Sequence, residues 1–318
     1  MRRTFPPCLA LIAGIVWAGV LGTPLQGLAQ GFATLKLEAA PEKDTLVPGE
    51  PLTLKLRLIN PTQSPVMAHR SIDPGYGTIE VYLAAPGSGF KRYLGPGWGK
   101  HENRPQKASI APGDAVYKEI TLLFHNVLPG REDVLPSVLP LDKPGPYRVR
   151  VDFYNIGFDE KISSPDVLVR VVEPAGPDAA VWKEVLSDPE MAYFLQQGDA
   201  RKGPAVAEKA ERLIMQYPGS IHAKYLALAL GRHYLRVNDA SKAMTFLKQA
   251  SGSPPKSFLR IQALMDMARG HILLREELDE AKKLCDGAAS EFAESGLQRA
   301  FSELCGMVRQ DIGQGIPK

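Results

Sequence analysis

"KYLALALGRHYLRVNDASKAMTFLKQASGSPPKS", residues 224–257, is the stretch that decides the carboxy-terminal half. Apolar residues recur at three- and four-residue spacing on both sides of Val237-Asn238-Asp239. That is the period of two amphipathic helices joined by a short turn. Gly231 and Ala243 are small enough for two helices to approach closely, where a larger side chain would push them apart. Pro255 cannot continue the second helix and favours the start of the next.

Leu230, Gly231, Tyr234, Ala243, Leu247, Ala250 and Pro255 carry the spacing of the tetratricopeptide (TPR) repeat, which this 34-residue unit resembles. Ala281, Cys285 and Ala288 repeat the Ala243, Leu247, Ala250 spacing with an offset of 38. The longer run "AVAEKAERLIMQYPGSIHAKYLALALGRHYLRVNDASKAMTFLKQA" is similar to the TPR helices of periplasmic proteins such as the Tol-Pal coordinator and the outer-membrane assembly lipoproteins. The likeness covers about 205–295, with 178–198 and 297–311 in the role of capping helices. It implies protein binding in a concave groove. Candidate groove residues on the first helices are His222, Lys224, Tyr225, Arg232 and Arg236.

Helical spacing fills 178–187, 204–217, 220–237, 239–250, 256–274, 277–294 and 297–311. "EPAGPDAAV" at 173–181 marks a change of composition, read as a linker over 175–180 with the helical domain at 181–318. Upstream the period is two. "PLTLKLRLIN" (51–60) alternates Leu52, Leu54, Leu56 and Leu58 against Thr53, Lys55 and Arg57. "YRVRVDFYN" (147–155) alternates Tyr147, Val149, Val151 and Phe153 against Arg148, Arg150, Asp152 and Tyr154. Successive strand side chains point to opposite faces, so each segment has a dry face and a wet face. "VPGEPL" at 47–52 and "APGDAV" at 111–116 are near copies, each a tight Pro-Gly turn feeding a strand.

Some seven or eight such strands over 31–174 call for two packed antiparallel sheets. The stretch resembles the immunoglobulin-like β-sandwiches of secreted bacterial proteins, through "LVPGEPLTLKLRLIN" early and "KPGPYRVRVDFYN" late. Its layout also resembles the BsuPI-like proteinase-inhibitor domain. The fold expected is therefore an immunoglobulin-like sandwich followed by TPR-like α-helical repeats.

The first residues, "MRRTFPPCLALIAGIVWAGVLGTPLQGLAQG", have a basic start, an apolar run from Cys8 to Leu21 and Gly27-Leu28-Ala29 at the end. They read as a signal peptide, 1–29, exporting the chain to periplasm or medium; a retained anchor is the alternative. "RRTF" faintly resembles a twin-arginine export signal. Without the leader the net charge of +3 falls to about +1, no footprint for nucleic acid.

"YLGPGWGKHENRPQ" (93–106) tests for a phosphate cradle. Gly95 and Gly99 are three residues apart, His101 follows Lys100, and Pro105 and a strand pattern come next. No helix supplies the amides a phosphate needs. The loop reads instead as a structured connection between strands or as a recognition surface, with Tyr76, Arg92, Tyr93, Trp98 and Lys100 as candidates for the latter, because aromatic and arginine side chains anchor interfaces. The same aromatics could stack on sugar rings. The six histidines stand at no ligand spacing, there is no Cys-x-x-Cys, and no serine has a nucleophile context. "DFYNIGFDEK" is too sparse in oxygens for calcium. No cofactor and no metal are expected, and no catalytic residue is assigned.

Cys285 and Cys305 each lie about ten residues from the turn at Ser295-Gly296, level in an antiparallel helical hairpin. They form either a bridge or two small core residues. The sequence thus points to an exported, non-enzymatic adaptor for an envelope protein, with a proteinase inhibitor and a carbohydrate-binding module as alternatives.

Overall fold

The computed structural model describes residues 31–98, 105–274 and 278–313. The leader, 1–29, and Lys100 lie outside them. Antiparallel sheets come first and helices follow.

Strands β1 (Lys36–Pro41), β3 (Leu52–Ile59) and β8 (Ala115–Leu122) form one sheet in the order β1-β3-β8. A second sheet runs β2 (Thr45–Leu46), β11 (Val167–Val171), β9 (Gly145–Tyr154), β5 (Ile79–Ala84) and β6 (Lys91–Tyr93), with β10 (Lys161–Ser163) paired to β9. β4 (Val66–His69) and β7 (Lys107–Ile110) form a separate pair. The alternation read from sequence is what builds the core. Leu52, Leu54, Leu56 and Leu58 are at most 1% exposed, and they share one cluster with Val149, Val151 and Phe153 of the other sheet. Each such side chain contributes about 1.5–3 kcal/mol on burial. Two details depart from expectation. Eleven strands stand among the described residues rather than seven or eight, because β2, β6 and β10 are only two or three residues long. The pairing is also not wholly antiparallel, since β2 runs parallel to β11.

Among the described residues eight α-helices follow: α1 (Gly176–Leu186), α2 (Pro189–Gln197), α3 (Ala205–Gln216), α4 (Ile221–Arg236), α5 (Ala240–Ser251), α6 (Phe258–Leu274), α7 (Leu278–Ala288) and α8 (Gln298–Gly313). Their ends obey local chemistry. Asp188, Ser220 and Asp239 cap α2, α4 and α5 by accepting from Glu190 N, His222 N and Lys242 N. Residues 175–180, expected to be a linker, instead open α1, and Asp178 within them accepts from Ser220 Oγ and Ile221 N at 2.8 Å. A carboxylate at the start of α4 suits the positive end of that helix.

The helices stack in two rows. α2, α4, α6 and α8 touch in succession, and α3, α5 and α7 pack outside them. At Gly231 of α4 an added Cβ would stand 2.5 Å from Leu247 Cδ2 of α5, so the close approach foreseen from sequence is real, with Leu247 filling the gap. Ala243 and Ala250 are fully buried, and the Tyr234 ring stacks on Phe246 with centroids 5.8 Å apart. Cys285 of α7 and Cys305 of α8 are bonded, with Cα atoms 5.6 Å apart.

Candidate functional site

The row α2, α4, α6, α8 faces the outer side of the sheet β1-β3-β8. That side was expected to be wet. It is wet only at one end, for Thr53 and Glu119 are buried where the helices cover them. The seam is polar and hydrogen-bonded. Gln196 of α2 donates to Thr121 O at 3.0 Å and accepts from Phe124 N at 2.7 Å. Glu42 accepts from Phe258 N, at the start of α6, at 2.7 Å. Glu119 accepts from Gly296 N, just before α8, at 2.9 Å. Two carboxylates of the β half therefore sit at helix starts of the α half, where partial positive charge favours them.

The turn Val47–Glu50 makes the deepest contact. Pro48 and Gly49 (φ +79°) form its corner, and Glu50 N donates to Val47 O. A Cβ on Gly49 would lie 2.4 Å from the Trp182 ring of α1. His222 Nε2–H donates to Pro48 O at 3.1 Å, and burial holds the imidazole below its ordinary range, so it is neutral. Its near copy at Gly113 (φ +77°) has nothing within 4 Å.

The candidates from sequence separate accordingly. His222 is a seam residue and offers no surface. Tyr225 lies half-buried beside Glu50, its phenol pushed up chiefly by burial. Lys224 is exposed and donates to Gly252 O. Arg236 holds the end of α2 through Gln197 O and Gly198 O. Tyr93 is no surface residue: it points inward from β6, fully buried, donating to Phe124 O and accepting from Leu123 N. Arg92 faces the other way and pairs with Glu80 on the outer side of the larger sheet. Tyr76 ends a short 3-10 turn, Pro74–Tyr76.

Trp98 and Arg232 do come together. Pro96-Gly97, with Gly97 at φ +77°, turn the chain so that Trp98 N donates to Gly95 O. The indole folds back over Gly95, where a Cβ would lie 2.6 Å from it, and meets Tyr93 edge-on at 5.1 Å. Two residues that the sequence did not single out fasten this loop. His125 Nδ1 accepts from Leu94 N, and Asn126 Nδ2 donates to Gly95 O. Trp98, Lys118 and Glu119 then form one side of an open cleft of about 390 Å³, with Gln196, Arg232 and Gln262 opposite. Asp266 fixes Arg232 through Nε at 2.8 Å, leaving both Nη groups without a protein acceptor among the described residues. The arrangement offers a guanidinium, amides and an aromatic edge for hydrogen-bonding and packing. Among the described residues no three His, Cys, Asp or Glu side chains group to hold a metal ion, and no helix is long and apolar enough to cross a membrane.

Glu119 makes the cleft sensitive to pH. Burial raises its carboxyl above the ordinary 4.5, against hydrogen bonds from Gly296 and Ser295 that lower it. Below that value the group is protonated folded and unfolded alike. As pH rises through 4.5 the unfolded chain ionises first, so the fold loses stability until the buried carboxyl follows. Glu119→Gln keeps an acceptor for Gly296 N–H and removes this titration. The variant should be the more stable at neutral pH and match the parent below about pH 4. Denaturant melts across that range that stay parallel would refute the assignment.

No family model and no curated protein matches the chain. Three solved structures that resemble it align over less than half of it. A β-glucosidase from Erythrobacter marinus is 13% identical over 43% of this chain and 15% of its own, with a TM-score of 0.24. Spo0M, a sporulation control protein from Bacillus subtilis, is 16% identical over 48% of this chain and 55% of its own, also at 0.24. The CARDB domain of a Pyrococcus furiosus protein, PF1109, is 10% identical over 45% of this chain and 91% of its own, at 0.21. Likeness at this level assigns neither fold nor function.

Proposed function

We propose that this chain is an exported, non-enzymatic adaptor that binds a segment of another envelope protein in the cleft between its β and α halves. The observation that carries the reading is the convergence of Trp98 and Arg232, from opposite halves, on one open cleft. Aromatic and arginine side chains with unspent contacts anchor interfaces. The fold assignments belong to the same proposal. Two sheets sharing a core support the immunoglobulin-like reading, and two rows of helices around the Gly231–Leu247 contact support the TPR-like one. In this reading the groove row is already covered by the chain's own β half, so a partner meets both halves at the cleft instead of the helices alone.

Cross-linking in the native envelope should capture a partner through a photoreactive side chain at Gln262, on the wall of the cleft. Trp98→Ala and Arg232→Ala should each cut the captured yield at least tenfold, about 1.4 kcal/mol of binding, compared at a temperature where melting curves show each variant folded. Undiminished capture by both variants would remove the cleft from the proposal. Stoichiometric block of a protease by the parent would favour the inhibitor alternative.

A further inference from the structure

Farther along the seam lies a larger cavity, about 770 Å³, that the Trp98 cleft does not include. Its walls come from three places: the Glu42-Lys43 turn with Lys55 of β3, the start of α4, and the turn Ser253–Ser257 that leads into α6. Three prolines, Pro218, Pro254 and Pro255, stiffen it, and Ile221, Tyr225 and Leu259 give it apolar area.

The charges in this cavity are unbalanced in an informative way. Its acids are already engaged: Glu42 accepts from Phe258 N, and Asp178 from Ile221 N. Lys43 is paired with Glu50 at 2.5 Å. Lys55 stands 3.9 Å from Glu42, a long contact. Among the described residues no carboxylate is within ion-pair distance of Lys224 or Lys256. Lys224 and Lys256 thus border the cavity with no carboxylate in reach, and Lys55 adds a third positive charge that it shares only at long range with Glu42. Ser253, only 4% exposed, forms part of the same wall, and its Oγ is buried with no hydrogen-bond partner. A buried hydroxyl left unpaired costs roughly 1–3 kcal/mol, a cost relieved when a small shift of the wall lets a ligand accept its hydrogen.

We propose that this cavity is a docking site for an acidic peptide: an extended segment of a partner protein whose Asp or Glu side chains meet Lys55, Lys224 and Lys256 while its backbone lies along the proline and tyrosine wall. Charge complementarity selects acidic side chains. The size of the cavity and the spread of the lysines over three elements favour an extended chain over a compact anion. The site shares no lining residue with the Trp98 cleft, and each stands or falls separately.

The test uses the full chain and a fluorescein-labelled hexaglutamate, read by anisotropy at low salt, with hexaglutamine and inorganic phosphate as comparisons. Hexaglutamate should bind, and hexaglutamine should not. Phosphate at the same total charge should compete poorly. Lys224→Glu with Lys256→Glu should weaken binding at least tenfold, and Ser253→Ala about threefold while raising the melting temperature. If the double reversal does not fold, the single Lys224→Gln and Lys256→Gln exchanges serve, each expected to weaken binding severalfold. Trp98→Ala should leave hexaglutamate binding unchanged. Equal binding of the two peptides, full displacement by phosphate, or affinity untouched by the lysine and serine exchanges would overturn the proposal.

Discussion

Gly49→Ala is expected to destabilise the protein by about 3 kcal/mol, and Gly113→Ala by about 1 kcal/mol. Both glycines stand third in a Pro-Gly turn with positive φ, so both replacements carry the same backbone strain. Only at Gly49 does the new methyl meet something: the Trp182 ring at 2.4 Å and His222 Nε2 at 3.1 Å. The corner cannot retreat without losing the hydrogen bond from His222 to Pro48 O. The difference between the two variants therefore measures how firmly the halves are docked. Urea melts followed by tryptophan fluorescence suit the test, because Trp182 lies in the contact. Equal losses would mean that the halves do not rely on this turn.

Breaking the bond between Cys285 and Cys305 should cost about 3 kcal/mol in the chain-entropy picture, because the cross-link closes a loop with a sequence separation of 20. Both residues are buried, so the double exchange to alanine also forfeits some packing between α7 and α8. The loss should fall on the end of the α half, and hydrogen exchange in α8 should rise before that in α4. A double alanine variant that melts with the parent would show that the bridge constrains nothing. Thiol counting on the freshly purified, unreduced chain should find the pair oxidised.

Much of this was legible in the sequence, for reasons that can be named. The spacing of apolar residues foresaw a helix over 220–237, and α4 is Ile221–Arg236. The close approach at Gly231 was foreseen from the TPR-like spacing, and helical geometry set the two cysteines level while leaving a bridge and two core residues both open. α2 was not foreseen as a separate helix. It is nine residues long, with Pro189 at its start and Gly198 (φ +62°) at its end, so its flanks read as punctuation. Burial across the seam was illegible. Nothing in "VYKEITLLF" distinguishes Glu119 from any solvated strand carboxylate, and nothing sets "VPGEPL" apart from its exposed copy "APGDAV". Those fates depend on which surface the helices cover, a property of the packed molecule. Tyr93 misled for a simpler reason: an aromatic beside a glycine-rich loop looks displayed, yet its neighbour Arg92 faces outward, and alternation sends Tyr93 inward.

The seam joins residues far apart along the chain, Glu42 to Phe258, Pro48 to His222, Glu119 to Gly296. On a ribosome the β half emerges first, with Thr53 and Glu119 still bathed in water. The fastening arrives in stages: Gln196 comes with α2, His222 with α4, and Gly296 only just before α8. A nascent chain arrested near residue 180, before those helices exist, would thus present a first half with an unclaimed polar face, open for as long as elongation takes.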